Sequence, residues 1–482
     1  MVFITAELGD AEMERSEEFM RYIEHIGAAV GRAGRRASLK SYCQGLMLPL
    51  KRKSVEPLAA SIDPLHVSSL HQSLNHFVAQ SPWSDTAVLD RVNDWVLARM
   101  NLAGSAPVFW IADDTGMPKQ GTHSVGVARQ YCGQLGKTDN CQVAVSLSIA
   151  TEAASLPIKY RLYLPESWAS DMARRKGAGV PDDIVFATKP EISLAQMTAA
   201  KAAGIHGDIA LADAGYGDDT GYRDGITALG MRYAVGIKTG TKVWTSGSEP
   251  LPAKPWSGQG RKPTRLRRGP DNQPVSVKTL ALSLPASAWR KTTWREGTNT
   301  ALSSRFAAVR VRAAHGDIHA TEQRAEEWLL IEWPKGEAEP IKYFMSTLPA
   351  DTTRKALVNV VKMRWRIERD YQELKQEFGL DNFEGRNWRG FHHHATLCIA
   401  AYGFLVGERL VHGGSVKKND CVREKPALPE SYTPRGASST TAPRGGLDCN
   451  PALGDRSRVR SATDSVPLLR TGSKGKAACL TQ

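Results

Sequence analysis

The sequence has no Cys-x-x-Cys pair. Its seven cysteines, Cys43, Cys132, Cys141, Cys398, Cys421, Cys449 and Cys479, are scattered and odd in number. That excludes a disulfide framework and a zinc-finger pattern, and it fits a reducing compartment. No apolar run reaches the length of a membrane span. The N-terminal stretch MVFITAELGDAEMERSEEF lacks the basic-then-apolar order of a signal peptide. A cytoplasmic protein without a membrane partner is expected. Neither a Walker A motif nor GxGxxG is present, so no nucleotide cofactor is expected.

What is present points to a large, basic, folded protein. The 482 residues exceed one ordinary core, and 41% hydrophobic residues with 12 Trp are enough to fill more than one. The formal net charge is +13 and the pI about 9.4, which suggests a polyanionic partner, most often nucleic acid; a merely solubilising surface is the alternative. The densest basic run is RKPTRLRR. Its Arg261, Lys262, Arg265, Arg267 and Arg268 are candidates for phosphate contacts, against a solvated loop.

Hydrophobic spacing divides the chain. Residues 1–100 read as helical: Phe19, Tyr22, Ile23 and Ile26, then Leu70, Leu74 and Phe77, then Leu89, Val92, Trp95 and Val96 repeat at helical intervals. The basic stretches 31–40 and 50–54 read as loops between these helices, suited to DNA phosphates. Strand patterns follow at 107–113, 141–151 and 157–165, with a Gly-rich connection between the first two. A helix over 190–204, with Ser193 as N-cap and Gly204 beyond its end, precedes the strand IALAD, a helix at 220–230 and a strand at 231–238. This order predicts an α/β segment over 101–240. Residues 241–340 read as an inserted, mostly β module. A strand at 341–349 and one long helix over 351–378, with the stripe Val360, Ile367, Leu374 and Phe378, open the segment 341–412. Residues 413–482 read as a disordered basic tail.

Three acids share one logic. Asp113 closes the strand in VFWIADD, Asp213 closes IALAD, and Glu368 lies on the long helix. Carboxylates at the C-terminal ends of strands project where α/β sheets place their chemistry. An all-oxygen donor set suits Mg²⁺ or Mn²⁺ rather than zinc. Two such ions can activate a water and stabilise the leaving oxygen of a phosphodiester. The alternative is three unrelated acids, each capping a helix or pairing with an Arg.

The helix VKMRWRIERDYQELKQEF carries Arg364, Glu368 and Lys375. It resembles the Y-x2-R-x3-E-x6-K signature of bacterial insertion-sequence DDE transposases, with Val361 in the tyrosine position. IADDTG and ADAGYGD resemble the two aspartate motifs of that superfamily. The string DDTGMPKQGTHSVGVARQYCGQLGKTDNCQVAVSL is most similar to the insertion-sequence-701-type branch. The resemblance covers roughly residues 20–410 and implies an RNase H-like core, interrupted by a β domain between the second Asp and the Glu and preceded by a helical DNA-binding region. It implies Asp113, Asp213 and Glu368 as ligands of two Mg²⁺ or Mn²⁺ ions, and Arg364 and Lys375 as contacts to double-stranded DNA at the element's ends. Strand transfer into target DNA and a homodimeric synaptic complex come with it. The first motif, D-x-T, maps onto Asp113 and Thr115, which favours Asp113 over Asp114. Independently, positions 364, 368, 371 and 375 fall on one helix face.

His392, His393 and His394 are consecutive, so three neighbours pointing apart are poor partners for one ion; a structural or DNA-proximal role is expected. Arg386, Trp388 and Arg389 suit either DNA stacking or a core Trp flanked by surface arginines. Two rival classes remain: a DNA-binding protein without catalysis, and a carboxylate-pair glycosidase, which has no use for the basic charge.

Overall fold

The computed structural model describes residues 2–104, 107–296 and 301–413. The expected basic tail, apart from Gly413, lies outside the described residues, as do Cys421, Cys449 and Cys479.

Five helices open the chain: α1 (Val2–Gly27), α2 (Ala33–Met47), α3 (Val55–Ile62), α4 (Val67–Ala79) and α5 (Asp85–Met100). The apolar stripes bury as their spacing predicts, with Tyr22, Ile26, Leu74, Phe77, Val92 and Val96 all in the core. One expectation fails. Residues 31–40 are mostly helix, because Leu39, Tyr42, Cys43 and Leu46 give α2 a buried side that outweighs its polar start. Only 48–54 remains a loop.

The strands β1 (Phe109–Pro118), β2 (Ala128–Cys132), β3 (Lys137–Ala150) and β4 (Ser155–Leu162) form an antiparallel group. The Gly-rich connection therefore holds a strand of its own, β2, hairpinned onto β3. Short helices α6 (Glu166–Ala169) and α7 (Met172–Gly177) lead to α8 (Lys189–Ala202). The N-cap of α8 is Thr188 and not Ser193: Thr188 and Glu191 form a reciprocal capping box, while Ser193 is buried mid-helix against the Tyr222 hydroxyl at 2.9 Å. Gly204 follows the helix with φ +74°, as a C′ residue should.

Next come β5 (Ile209–Ala212), α9 (Ala214–Gly217), α10 (Thr220–Ala228) and β6 (Arg232–Ile237). β5 runs parallel to β1, and β6 parallel to β5. The core order is thus β4-β3-β1-β5-β6, three antiparallel strands followed by two parallel ones.

The 241–340 stretch carries β7 (Lys242–Thr245), β8 (Val275–Ser276), α11 (Val277–Ser283), β9 (Arg290–Glu296), β10 (Ala301–Ala313) and β11 (Glu327–Trp333). It is β-rich, yet it is not a body apart. β12 (Lys342–Ser346) pairs with β6 on one side and β11 on the other, so the inserted strands continue one 12-stranded sheet.

The long helix expected at 351–378 is two: α12 (Arg354–Lys362) and α13 (Trp365–Gln376). They serve different partners. α12 packs on β6, β9, β10 and β11, and its Lys362 bonds Glu332 of β11 at 2.8 Å; α13 packs on β1 and β4. One straight helix cannot follow both surfaces.

The final helix, α14 (Trp388–His412), is buried on nearly every side, the mark of a core helix. Its Ala400 carbonyl accepts from the Tyr22 hydroxyl at 2.7 Å, and its Phe404 meets Phe19 edge-on at 5.1 Å. The first hundred residues and α14 therefore share one core.

Candidate active site

Strand pairing positions the two aspartates. β1 does not stop at Asp113, as the sequence suggested; it continues to Pro118, with Asp113 opposite Ser146 of β3. On the other side, Phe109 pairs with Ile209 and Ile111 with Leu211. Two residues further on, that register sets Asp213 alongside Asp113. Asp213 leaves the strand to cap α9, accepting from the Gly215 amide at 2.8 Å. Gly217 and Gly236 let α9 sit directly on β6. A Cβ on Gly236 would lie 2.8 Å from the Ala214 amide nitrogen.

The third acid comes from α13. Arg364, at the break between α12 and α13, donates to Asp113 Oδ2 at 2.7 Å and to Glu368 Oε1 at 2.5 Å. Burial opposes the charge on Arg364, but Asp113, Glu368 and Asp213 together outweigh it and hold its pKa up. Burial pushes the Asp113 carboxyl up to about 7; Arg364 pulls against that, and Asp213 and Asp114 add to it. The acids thus gather around a cation the chain itself supplies. The alternative reading of the sequence describes this state too, since Asp213 caps a helix while Asp113 and Glu368 pair with an Arg.

The face of α13 follows β1 downward. The Tyr371 hydroxyl reaches the Asp113 carbonyl at 3.3 Å and shares a bond with Ser146. Lys375 Nζ donates to the Gly116 carbonyl at 2.7 Å and to Gln134 at 3.2 Å. Val361, in the tyrosine position of the signature, is buried in α12. Tyr371, Lys189, Tyr216 and Gln134 escaped the sequence reading; only Tyr371 left a trace, in its place on the 364–375 face. Asp114 points away from this cluster, as strand alternation requires. It pairs with Lys189 of α8 at 2.9 Å and accepts from Tyr216 at 3.4 Å.

The other candidates lie elsewhere. Arg261, Lys262, Arg265 and Arg267 are exposed, and Arg267 is anchored by its Nε to the Pro252 carbonyl. Arg268 turns inward to buried Asp317 at 2.7 Å and to the Ala314 carbonyl at 3.0 Å. The three histidines are structural. His392 meets Trp388 O and the Leu162 amide, His393 meets Val78 O and Trp83 O, and His394 meets the Tyr42 hydroxyl and Gly379 O. Trp388 is buried between exposed Arg386 and Arg389, the second of the two expected arrangements.

Fold and site together define an α/β protein with a carboxylate centre built on neighbouring strands and a crossing helix. Residues 25–301 match the family model described as DDE superfamily endonuclease. That is more than half of the chain, which therefore belongs to this superfamily. The matched segment holds Asp113 and Asp213 and ends before Glu368. The chain is also 29% identical over 196 residues to the "Probable transposase for insertion sequence element IS701" of Microchaete diplosiphon, covering 40% of this chain and 47% of that protein. The match thus spans about half of the relative's length.

Endonucleases of this superfamily generally use divalent metal ions. Among the described residues, no group of three or more His, Cys, Asp or Glu is gathered closely enough to hold one. The donor chemistry nevertheless suits a hard cation. Every donor is a carboxylate oxygen, and two of them already share the Arg364 guanidinium.

Proposed function

We propose that the protein is a DNA transposase that binds the ends of its element, cuts a phosphodiester there and joins the freed strand to target DNA. One observation carries this reading: Arg364 pins Asp113 and Glu368 to a single point although the chain separates Asp113 from Arg364 by 251 positions. The β4-β3-β1-β5-β6 order, with acids on β1 and after β5, supports an RNase H-like core. Asp113, Asp213 and Glu368 are the proposed holders of two Mg²⁺ or Mn²⁺ ions. Such ions supply charge neutralisation and an activated water or hydroxyl at the phosphodiester. The chain's own contribution is orientation. Parallel register sets the two aspartates, and Arg364 holds Glu368 to them.

The exposed Arg261, Lys262, Arg265 and Arg267 are proposed phosphate contacts, with Arg268 shaping their loop from within. Arg364 and Lys375 are proposed to face the DNA near the cut. A homodimer in the end-joined complex belongs to the same reading, as does action on double-stranded element ends. The test is metal-dependent cleavage of DNA carrying those ends. Asp213→Asn is expected to abolish cleavage while leaving binding intact. Equal cleavage by variant and wild type would remove the enzymatic reading. A second reading, a DNA-binding protein derived from a transposase but inactive, draws on the Arg364 guanidinium lying between two of the three acids.

A further inference from the structure

The Glu368 side chain is more than half exposed, and Arg364 holds its carboxylate. Both residues ride on the start of α13, so the place of that carboxylate depends on how α13 is turned about its own axis. Successive helical residues lie ~100° apart. Asp370, two positions on, therefore sits on the far side of α13 from Glu368.

Asp370 is only 1% exposed. Its Oδ1 accepts from the Ser155 hydroxyl of β4 at 2.6 Å and from the Tyr402 hydroxyl of α14 at 2.8 Å. Its buried Oδ2 has no hydrogen-bond partner among the described residues. Burial pushes the carboxyl up to about 6, and the bonds from Ser155 and Tyr402 pull against that. An apolar side chain would fill the same space at lower cost. What the carboxylate adds is direction, because two hydroxyls from two elements converge on one of its oxygens.

The next residue, Tyr371, bonds Ser146 of β3 and the Asp113 carbonyl of β1. Adjacent side chains of α13 thus reach β1 and β3 on one flank and β4 and α14 on the other. Anchors on two flanks fix the rotation of a helix, which one flank alone leaves free. A further tie to α14, from Glu373 to Arg409 at 2.8 Å, ends on an arginine side chain that is half exposed, and such pairs hold weakly.

We propose that Asp370 is a positioning residue for Glu368. It pins the rotation of α13 to β4 and α14, and so sets the third acid against the two aspartates. A turn of ~20° would carry a group roughly 6 Å from the helix axis by about 2 Å. A misplacement of ~1 Å can cost about a hundredfold in rate. The proposal rests on the transposase reading above, in which Glu368 is part of the catalytic centre.

The experiment uses the full chain, DNA carrying the element's ends, and Mn²⁺. Asp370→Asn keeps the Oδ1 acceptor; Asp370→Leu removes it and fills the space. Val243→Ala, a buried change in β7, is the control for lost stability alone. Asp370→Leu is expected to lower the cleavage rate at saturating DNA by roughly thirtyfold or more while the half-saturating DNA concentration stays put. Mn²⁺ binding without DNA, read from the free-ion electron paramagnetic resonance signal, is expected to weaken about tenfold. Asp370→Asn should restore both to within about threefold of wild type, and Val243→Ala should leave both unchanged. If Asp370→Leu does not fold, Tyr402→Phe, which removes one of the two bonds, decides instead: an unchanged rate and Mn²⁺ affinity would overturn the proposal. The positioning role also falls, and the transposase reading stands, if folded Asp370→Leu matches the wild type or if Asp370→Asn loses as much as Asp370→Leu. If the wild type neither cleaves nor binds Mn²⁺, both fall.

Discussion

Asp113 and Asp114 are adjacent in sequence and answer to different neighbours. Asp113 faces Arg364, with Asp213 near it; Asp114 faces Lys189. Replacing each by Asn separates the roles. Asp113→Asn is expected to lower cleavage by roughly a hundredfold or more, as loss of a central electrostatic group does. Asp114→Asn is expected to keep cleavage near wild type and cost at most about 1 kcal/mol in urea unfolding, since its ion pair is part-exposed. The reverse result would move the first acid of the site to Asp114. The acids themselves were legible, because an apolar run ending on Asp and a helical R-x3-E spacing are local patterns. Lys189 and Gln134 were not: their partners lie 75 and 241 positions away, and no local pattern reports a contact across that distance.

At the level of elements, the Asp213 turn depends on how closely α9 approaches β6. Gly236 leaves no room for a side chain beneath the Ala214 amide. Gly236→Ala is therefore expected to destabilise the fold by ~1–3 kcal/mol through overpacking. It should also shift Asp213 enough to lower cleavage while β1 and Asp113 stay in place. Wild-type cleavage with unchanged unfolding would show that the turn tolerates the methyl group. Most strands were legible from alternation, and α8 and α10 from spacing and turn residues. The break between α12 and α13 was not. No Pro or Gly marks it, and its cause is the divergence of two packing surfaces. α2 was missed for the opposite reason: arginines crowd the start of a helix whose burial is decided further along.

Across the whole molecule, α14 carries three buried histidines; the partners of His392 and His394 suit the neutral ring, while His393 lies between two carbonyls. His394 can donate from Nε2 to Gly379 O while accepting from Tyr42, and His392 can donate to Trp388 O while accepting from the Leu162 amide. Burial pushes His393 and His394 down to about 4, and His392 down as well. An unfolded chain binds these protons at about 6.5, so it takes up more protons than the folded one as pH falls. Stability is therefore lost from about pH 6.5 towards about 4, by roughly 3 kcal/mol for His394. Asp113 and Asp370, held up at about 7 and about 6, act in the opposite direction. The informative measurement is thus the difference between wild type and His394→Asn in urea unfolding across that range. Parallel curves would mean that His394 is not buried neutral. That His393 and His394 join α14 to the first hundred residues was invisible in sequence. A helix buried on all sides has no stripe to show which elements surround it.

The position of α14 also sets a schedule for synthesis. Helices α1 to α5 leave the ribosome early, but the helix that completes their core begins only at Trp388, far beyond Met100. At ~5–20 residues per second the wait is roughly 15–60 s. Through that interval α2, α4 and α5 lack the helix that packs against all three of them in the finished fold.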